Sequence, residues 1–322
     1  MNFGRIRGVN KPVSRILLGT AVSPMLLGQD ADEMLDAAFE SGINAFDTAR
    51  NYGGAERSLG RWLKARGVRK DAVILSKCGH PDGNGSRVNE RAIRDDLSRS
   101  LEELQTDDID IYLLHRDDER VPVGEIVELF NQLKREGKIG AFGGSNWTHE
   151  RIAAANDYAR EHGLTPFAVS SPNFSLAYQQ CDPWGGGCVS ITGAENAAAR
   201  AWYKETQLPL VAYSSLARGF FSGKFRSDER EKAREVLDAV ALKAYDCEEN
   251  FARLHRAEQL AAKKGCTVSE IAMRWIFSQG LNVFAAVSAS TRERMQSCIS
   301  ALTLPMTEEE AAYLDLRRES DE

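Results

Sequence analysis

Short apolar runs of strand type recur along the chain at 16–18, 43–46, 73–75, 109–114, 139–142, 167–169, 210–213 and 283–287. Their residues scarcely alternate between apolar and polar, as expected for parallel strands covered on both faces. Between them lie segments of helical period: Met34, Leu35, Ala38 and Phe39; then Ile93, Leu97, Leu101 and Leu104; then Ile126, Leu129, Phe130 and Leu133. Each set falls on one stripe of a helix, with Asp, Glu, Lys and Arg on the rest. Strand and helix therefore alternate.

Eight such units at roughly 30-residue spacing predict one closed α/β barrel, (β/α)8, in preference to two doubly wound domains. No proline- or glycine-rich linker divides the chain, so residues 1–322 read as a single domain. Ahead of residue 16, Asn10, Lys11 and Pro12 predict the turn of a short N-terminal β-hairpin covering the barrel floor. The intervals 170–208 and 214–282 are too long for a plain unit. Both follow a strand, so their surplus rises as long loops from the C-terminal face, where barrel enzymes carry their sites.

Composition narrows the class further. With 43% hydrophobic and 27% charged residues the chain is globular rather than disordered. Its formal charge of -6, with both signs interspersed, gives no electrostatic reason to bind nucleic acid or an anionic membrane. The start MNFGRIRGVNKPVSR lacks the apolar stretch of a signal peptide, and no apolar run approaches the length of a membrane span. The six cysteines are scattered, with no CxxC pair and no zinc-ligand spacing, so reduced thiols, a cytoplasmic location and no metal are expected.

Four polar residues stand at or just beyond the ends of three consecutive predicted strands: Asp47 and Tyr52, then Lys77, then His115. One mouth of one barrel collects them all. Their chemistry suits carbonyl reduction, because a carbonyl oxygen gains charge as hydride arrives and needs a proton donor at hydrogen-bond distance. Tyr52 is the expected donor. A phenol's ordinary pKa of about 10 is high for this work, and the ammonium of Lys77 is expected to lower it. A lysine buried at a strand end needs an anion beside it, for which Asp47 is the partner. His115 is then placed to hydrogen-bond the substrate oxygen.

The stretches FDTARNYGGAERSLGRWLK, ILSKC, IYLLH, FGGSNW and AYSSLARGFFSGK together resemble the aldo-keto reductases, over nearly the whole chain. The resemblance implies a barrel that holds NADPH, with NADH as a second possibility, and reversibly reduces a small aldehyde or ketone to its alcohol. It gives the four residues above the same catalytic roles. It also implies that Ser145 and Asn146 bind the nicotinamide carboxamide, that Tyr213 stacks on the nicotinamide ring, and that Ser214, Leu216 and Arg218 follow the pyrophosphate. Arg294 corresponds to the arginine that pairs with the 2′-phosphate. Gly19, Thr20, Asp47, Ser171, Lys224, Ser288, Ser290 and Cys298 complete the implied cofactor wall. Ser171 stands where many members carry glutamine, Ser297 and Cys298 where they carry glutamate and asparagine, and Val287 and Ser288 where they carry proline and glycine.

Two other readings share these residues: a barrel aldolase using Lys77 as a Schiff-base nucleophile, and a cofactor-binding regulatory subunit of the kind that potassium-channel beta subunits represent. No GxGxxG follows any strand, and GFFSGK is too short for a phosphate-binding Walker loop. The insert at 173–191 carries Phe174, Tyr178 and Trp184, which are expected either to wall the mouth for an aromatic or sugar-derived substrate or to anchor the loop itself.

Overall fold

The computed structural model describes residues 1–321. The chain opens with an antiparallel hairpin, β1 (Phe3–Gly4) and β2 (Val13–Ser14). Eight parallel strands then close into a barrel: β3 (Ile16–Gly19), β4 (Ala45–Asp47), β5 (Val73–Cys78), β6 (Ile109–Leu114), β7 (Ile139–Ser145), β8 (Val169–Ser171), β9 (Leu210–Ala212) and β10 (Val283–Val287). Closure is made by β10 pairing with β3, Ala285 opposite Ile16. Outside the strands run α1 (Asp32–Glu40), α2 (Ala55–Arg66), α3 (Glu90–Leu104), α4 (Val123–Arg135), α5 (His149–Glu161) and α6 (Ala197–Thr206). Between β9 and β10 lie α7 (Arg230–Val236), α8 (Ala239–Tyr245), α9 (Glu248–Lys264) and α10 (Val268–Phe277), and after β10 come α11 (Arg292–Ser300) and α12 (Glu308–Leu314). This is a (β/α)8 barrel. Among the described residues no helix is long and apolar enough to cross a membrane.

The weak alternation of the strands follows from having two apolar destinations. Leu17, Ala45, Val73, Leu75, Ile111, Leu113, Ala141, Val169, Val211, Phe284 and Ala286 meet inside the barrel as one buried cluster. Their neighbours Ile16, Leu18, Phe46, Ile74, Tyr112, Leu114 and Phe142 pack outward against the helices. Each Val, Leu, Ile or Phe among them contributes about 1.5–3 kcal/mol by burial. Because side chains alternate with period two, one further step toward the C-terminal end of each strand keeps the inward direction. That step leads from Leu17 to Gly19, Ala45 to Asp47, Leu75 to Lys77, Leu113 to His115, Val169 to Ser171, Val211 to Tyr213 and Ala286 to Ser288. In β7 two steps lead from Ala141 through Gly143 to Ser145.

Gly143 is what lets β7 and β8 lie this close. A Cβ built there would stand 1.8 Å from the carbonyl oxygen of Val169. Gly143→Ala is therefore expected to destabilise the fold by about 3 kcal/mol, the upper part of the usual overpacking range, read as a lower denaturant midpoint.

Three local expectations shift. The strand expected at 43–46 is Ala45–Asp47, because the Ile43 amide bonds back to the Ala38 carbonyl at the end of α1 (3.0 Å). The strand expected at 167–169 is Val169–Ser171, because Phe167 serves the outer core, edge-on to Phe142 and against Trp147, with its amide held by Asn156 Oδ1 at 2.8 Å. The hairpin turns at Arg7 and Gly8 rather than at Asn10–Pro12, since Gly8 supplies the positive φ of 93°. Lys11 is instead a tether, 2.6 Å from Asp110. Ile6 and Val13 of this segment join the interior cluster and close the barrel's N-terminal end.

Candidate active site

The inward residues at the strand ends converge on a cavity of about 380 Å³ lined by Gly19, Asp47, Asn51, Tyr52, Lys77, His80, His115, Arg116, Ser145, Asn146, Trp184 and Tyr213, among others. Lys77 and Asp47 are buried together, the ammonium donating to Asp47 Oδ1 at 2.5 Å and to the Thr48 carbonyl at 3.0 Å. The same ammonium lies 5.0 Å from the centre of the Tyr52 ring. Tyr52 and His115 meet edge to face, ring centres 5.6 Å apart. All four residues named from the strand ends are thus gathered at one place.

The loop that presents Tyr52 is fixed by close backbone approach. The Tyr52 amide bonds to the Ala49 carbonyl, and the amide of Arg50 to the carbonyl of Lys77, each at 3.0 Å. A Cβ on Gly54 would stand 2.3 Å from the amide nitrogen of Gly28, so this loop and the short turn at Met25–Leu27 are pressed together. The N-terminus of α2 begins directly behind.

The electrostatics correct one expectation. Burial raises the Tyr52 phenol above its ordinary pKa; the Lys77 ammonium pulls it down and the Asp47 carboxylate pushes it back up, so the net direction is upward, not downward. The phenol is a held proton rather than a ready phenolate. For Lys77, burial alone pulls the pKa down, but the Coulombic attraction of Asp47, with that of Tyr52, more than reverses it and the amine is held protonated. His115 goes strongly the other way: burial, then the charges of Lys77 and Arg116, keep its imidazole neutral. Its Nδ1 is buried without a hydrogen-bond partner among the described residues.

A second cavity of about 660 Å³ adjoins the first and shares Ser214, Arg218, Ala286 and Ser288 with it. Leu216, Lys224, Arg294 and Cys298 line it as well. Its inner wall is the loop after β9, where Ser214, Ala217 and Arg218 adopt positive φ of 52°, 49° and 52°. Such backbone costs on the order of 1–3 kcal/mol per residue and persists where the surroundings enforce it. Here Ser215 Oγ donates to the carbonyls of Ala212 and Ala286, both at 3.0 Å, and Arg218 pairs with Asp238 at 2.6 Å. Three cations, Arg218, Lys224 and Arg294, face this groove against two carboxylates, Asp238 and Glu293, which leaves it net positive. Arg294 forms no ion pair among the described residues and reaches only Ser290 Oγ, at 3.5 Å.

The paired cavities fit an elongated dinucleotide: a cationic outer groove leads to a polar inner end at the barrel mouth. One observation tests the inner end. Ser171 Oγ is buried with no hydrogen-bond partner among the described residues, beside Ser145, whose Oγ donates to the Ser171 carbonyl at 2.9 Å. Buried polar groups rarely stay unpaired, and this unused hydrogen-bonding group lies behind the inner end of the cleft rather than on its surface. Asn146 is already engaged: its Oδ1 accepts from the Tyr213 hydroxyl at 2.7 Å, and its Nδ2 donates to the His115 carbonyl at 3.1 Å.

Not every residue assigned to the cofactor wall lies on it. Thr20 is buried beneath, its hydroxyl donating to the Asp47 carbonyl at 3.0 Å, and Ser171 and Ser290 also stand off the cavity surfaces. Of the three aromatic residues in the insert, Trp184 lines the inner cavity, while Phe174 is buried against Trp275 in the outer core. Tyr178 is tied by its backbone to Asn250. His80 and Arg116 were not singled out from sequence, although both lie in this cavity, the His80 ring 4.9 Å from that of His115. Their one legible signal is position, a few residues past a strand end. Among the described residues no group of three or more His, Cys, Asp or Glu is arranged to hold a metal ion.

Comparisons with known proteins agree with this architecture. The chain is 27% identical to the aldo-keto reductase str7 of Strobilurus tenacellus, over 90% of this chain and 81% of that protein. It is 26% identical to the uncharacterized oxidoreductase YrpG of Bacillus subtilis, over 92% and 90% of the two chains. Among solved structures, the glycerol dehydrogenase AKR11B4 from Gluconobacter oxydans superposes with a TM-score of 0.76 at 25% identity, covering 98% of this chain and 94% of that one. The family model described as Aldo/keto reductase family matches residues 15–318. The chain belongs to the aldo/keto reductase family, and it is an oxidoreductase of that family's carbonyl-reducing type.

Proposed function

We propose that this protein reduces an aldehyde or ketone to the alcohol, reversibly, with NADPH as the preferred cofactor, as a single-domain cytoplasmic enzyme. The reading rests on one observation above the rest: Tyr52, Lys77, Asp47 and His115 meet in a cavity that opens into a cationic, dinucleotide-sized groove. When bound, the nicotinamide supplies the hydride.

The protein's own part is positioning and proton transfer. Ser145 and Asn146 would border the carboxamide end, with Ser171 behind them, and Tyr213 the ring face, while Ser214, Leu216 and Arg218 would border the pyrophosphate. Tyr52 gives its hydroxyl proton to the carbonyl oxygen as charge develops there. The fixed ammonium of Lys77 stabilises the phenolate left behind, and Asp47 keeps Lys77 charged. Neutral His115 donates a ring N–H to the same oxygen and orients the carbonyl. The raised pKa of Lys77 also weighs against a Schiff-base role, which needs a free amine. Trp184 offers a flat apolar wall for an aromatic or sugar-derived body.

The test is loss of reduced-nicotinamide absorbance with a panel of aldehydes, keto sugars and aromatic ketones, using NADPH and then NADH. Absence of oxidation with every compound and both cofactors overturns the proposal. For the cofactor preference, Arg294→Ala is expected to raise the KM for NADPH about tenfold and to leave that for NADH nearly unchanged, since a charge-assisted bond to phosphate contributes about 1.5–3 kcal/mol. Equal effects on the two would remove Arg294 from 2′-phosphate recognition.

A further inference from the structure

Within the cleft just described, Arg116 closes no ion pair through its guanidinium among the described residues. It follows His115 on the loop beyond β6, half-buried in the wall of the inner cavity with His80 and Trp184. A guanidinium is a fork of several donors. Arg116 makes one hydrogen bond with it, Nη1 to the His115 carbonyl at 3.0 Å, and a carbonyl is not a counter-charge. Asn146 Nδ2 donates to that same oxygen, so the arginine head is tethered next to the residues that border the reacting centre.

No carboxylate nearby closes a contact with Arg116. Asp47 is the sole carboxylate on this cavity's wall among the described residues, and Lys77 holds it. Asp117 pairs with Arg151 at 2.9 Å and Asp118 with Arg120 at 2.7 Å. Asp182, in the facing insert, accepts the amides of Trp184 and Cys188, both at 2.8 Å, and feels the charge of Arg116 through space without forming an ion pair with it. The insert also keeps the arginine in place: a Cβ on Gly187 would lie 3.4 Å from Arg116 Cδ, so that backbone passes directly over its stem. Of the other two cations on the wall, Lys77 pairs with Asp47 and Arg218 with Asp238. Holding a guanidinium part-dehydrated without a partner is costly unless a ligand brings the anion.

We propose that Arg116 binds an anionic group carried by the carbonyl substrate, a carboxylate or a phosphate ester, so that oxo acids or phosphorylated aldehydes and ketones are preferred over neutral carbonyl compounds. This rests on the carbonyl-reductase reading. The planar fork suits either oxyanion, in a bidentate contact that a neutral group does not match. Trp184 supplies the wall against which the organic body lies.

The experiment compares kcat/KM with NADPH for two matched pairs: para-carboxybenzaldehyde against its methyl ester, and glyceraldehyde phosphate against glyceraldehyde. The wild-type protein is expected to favour the anion in at least one pair by about tenfold or more, and the pair that responds identifies the head group. Arg116→Gln should reduce that ratio by about tenfold or more, chiefly through KM, and Arg116→Lys should restore part of it. A wild-type ratio near one in both pairs, or a ratio unaltered by Arg116→Gln, overturns the inference while leaving carbonyl reduction standing. If none of the four compounds is reduced, the wider carbonyl panel with both cofactors decides the parent reading, and calorimetry on the NADP-loaded protein with para-(hydroxymethyl)benzoate and glycerol phosphate decides the arginine's role separately. Binding weakened about tenfold by Arg116→Gln supports it; no binding, or binding equal in both proteins, overturns it.

Discussion

Tyr52→Phe is expected to lower the rate of carbonyl reduction by ~10²–10⁴-fold, the usual worth of a positioned proton donor, with the affinity for NADPH unchanged. The substitution keeps the ring that meets His115 edge to face and removes only the hydroxyl. Single-turnover rates and a fluorescence titration of the cofactor separate the two quantities, and wild-type turnover in this variant would take Tyr52 out of the proton path. The pH dependence carries a sign. Because burial raises the phenol's pKa, the proton-donating form persists through neutrality, so reduction holds level and falls only beyond about pH 10. Oxidation of the alcohol needs the phenolate and should rise over that same alkaline range. His115, held neutral well below the ordinary histidine range, adds no loss of activity near pH 6.5.

Lys77→Met is expected to fail in two measurable ways. The rate should drop by ~10²–10³-fold, because the fixed charge that stabilises the departing proton's phenolate is gone. The fold should lose about 3–5 kcal/mol, because Asp47 is left buried without its cation. Adding Asp47→Asn to this variant should return much of the stability and none of the rate. That divergence distinguishes a catalytic ammonium from one that merely balances a charge. Equal recovery of both would contradict the role assigned to Lys77.

The residues most legible in the sequence are those whose direction is set by a two-residue period. Once 16–18, 73–75 and 109–114 are strands, the step from Leu75 to Lys77 or from Leu113 to His115 is dictated by backbone geometry, and the motif resemblance names the same positions. Composition could not separate apolar residues with different destinations. Phe167 looked like a strand residue because it serves the outer core, and for Phe174 the sequence left mouth wall and loop anchor both open, of which burial against Trp275 is the second kind. His80 and Arg116 lie on loops whose course is set by backbone contacts across the barrel, such as the passage of Gly187 over the arginine stem, and no local pattern records these. The direction of the Tyr52 shift was misread because sequence reveals the neighbouring ammonium but not the depth at which the phenol sits.

The N-terminal hairpin has a consequence for chemistry at the opposite rim. With Ile6 and Val13 lodged under the interior side chains, the barrel is a vessel stoppered at its base by apolar side chains. The attraction between Lys77 and Asp47 depends on how dry their surroundings are, since the same pair is several times weaker in a water-like medium. Fifteen residues that touch neither substrate nor cofactor thereby help set the strength of the acid that does.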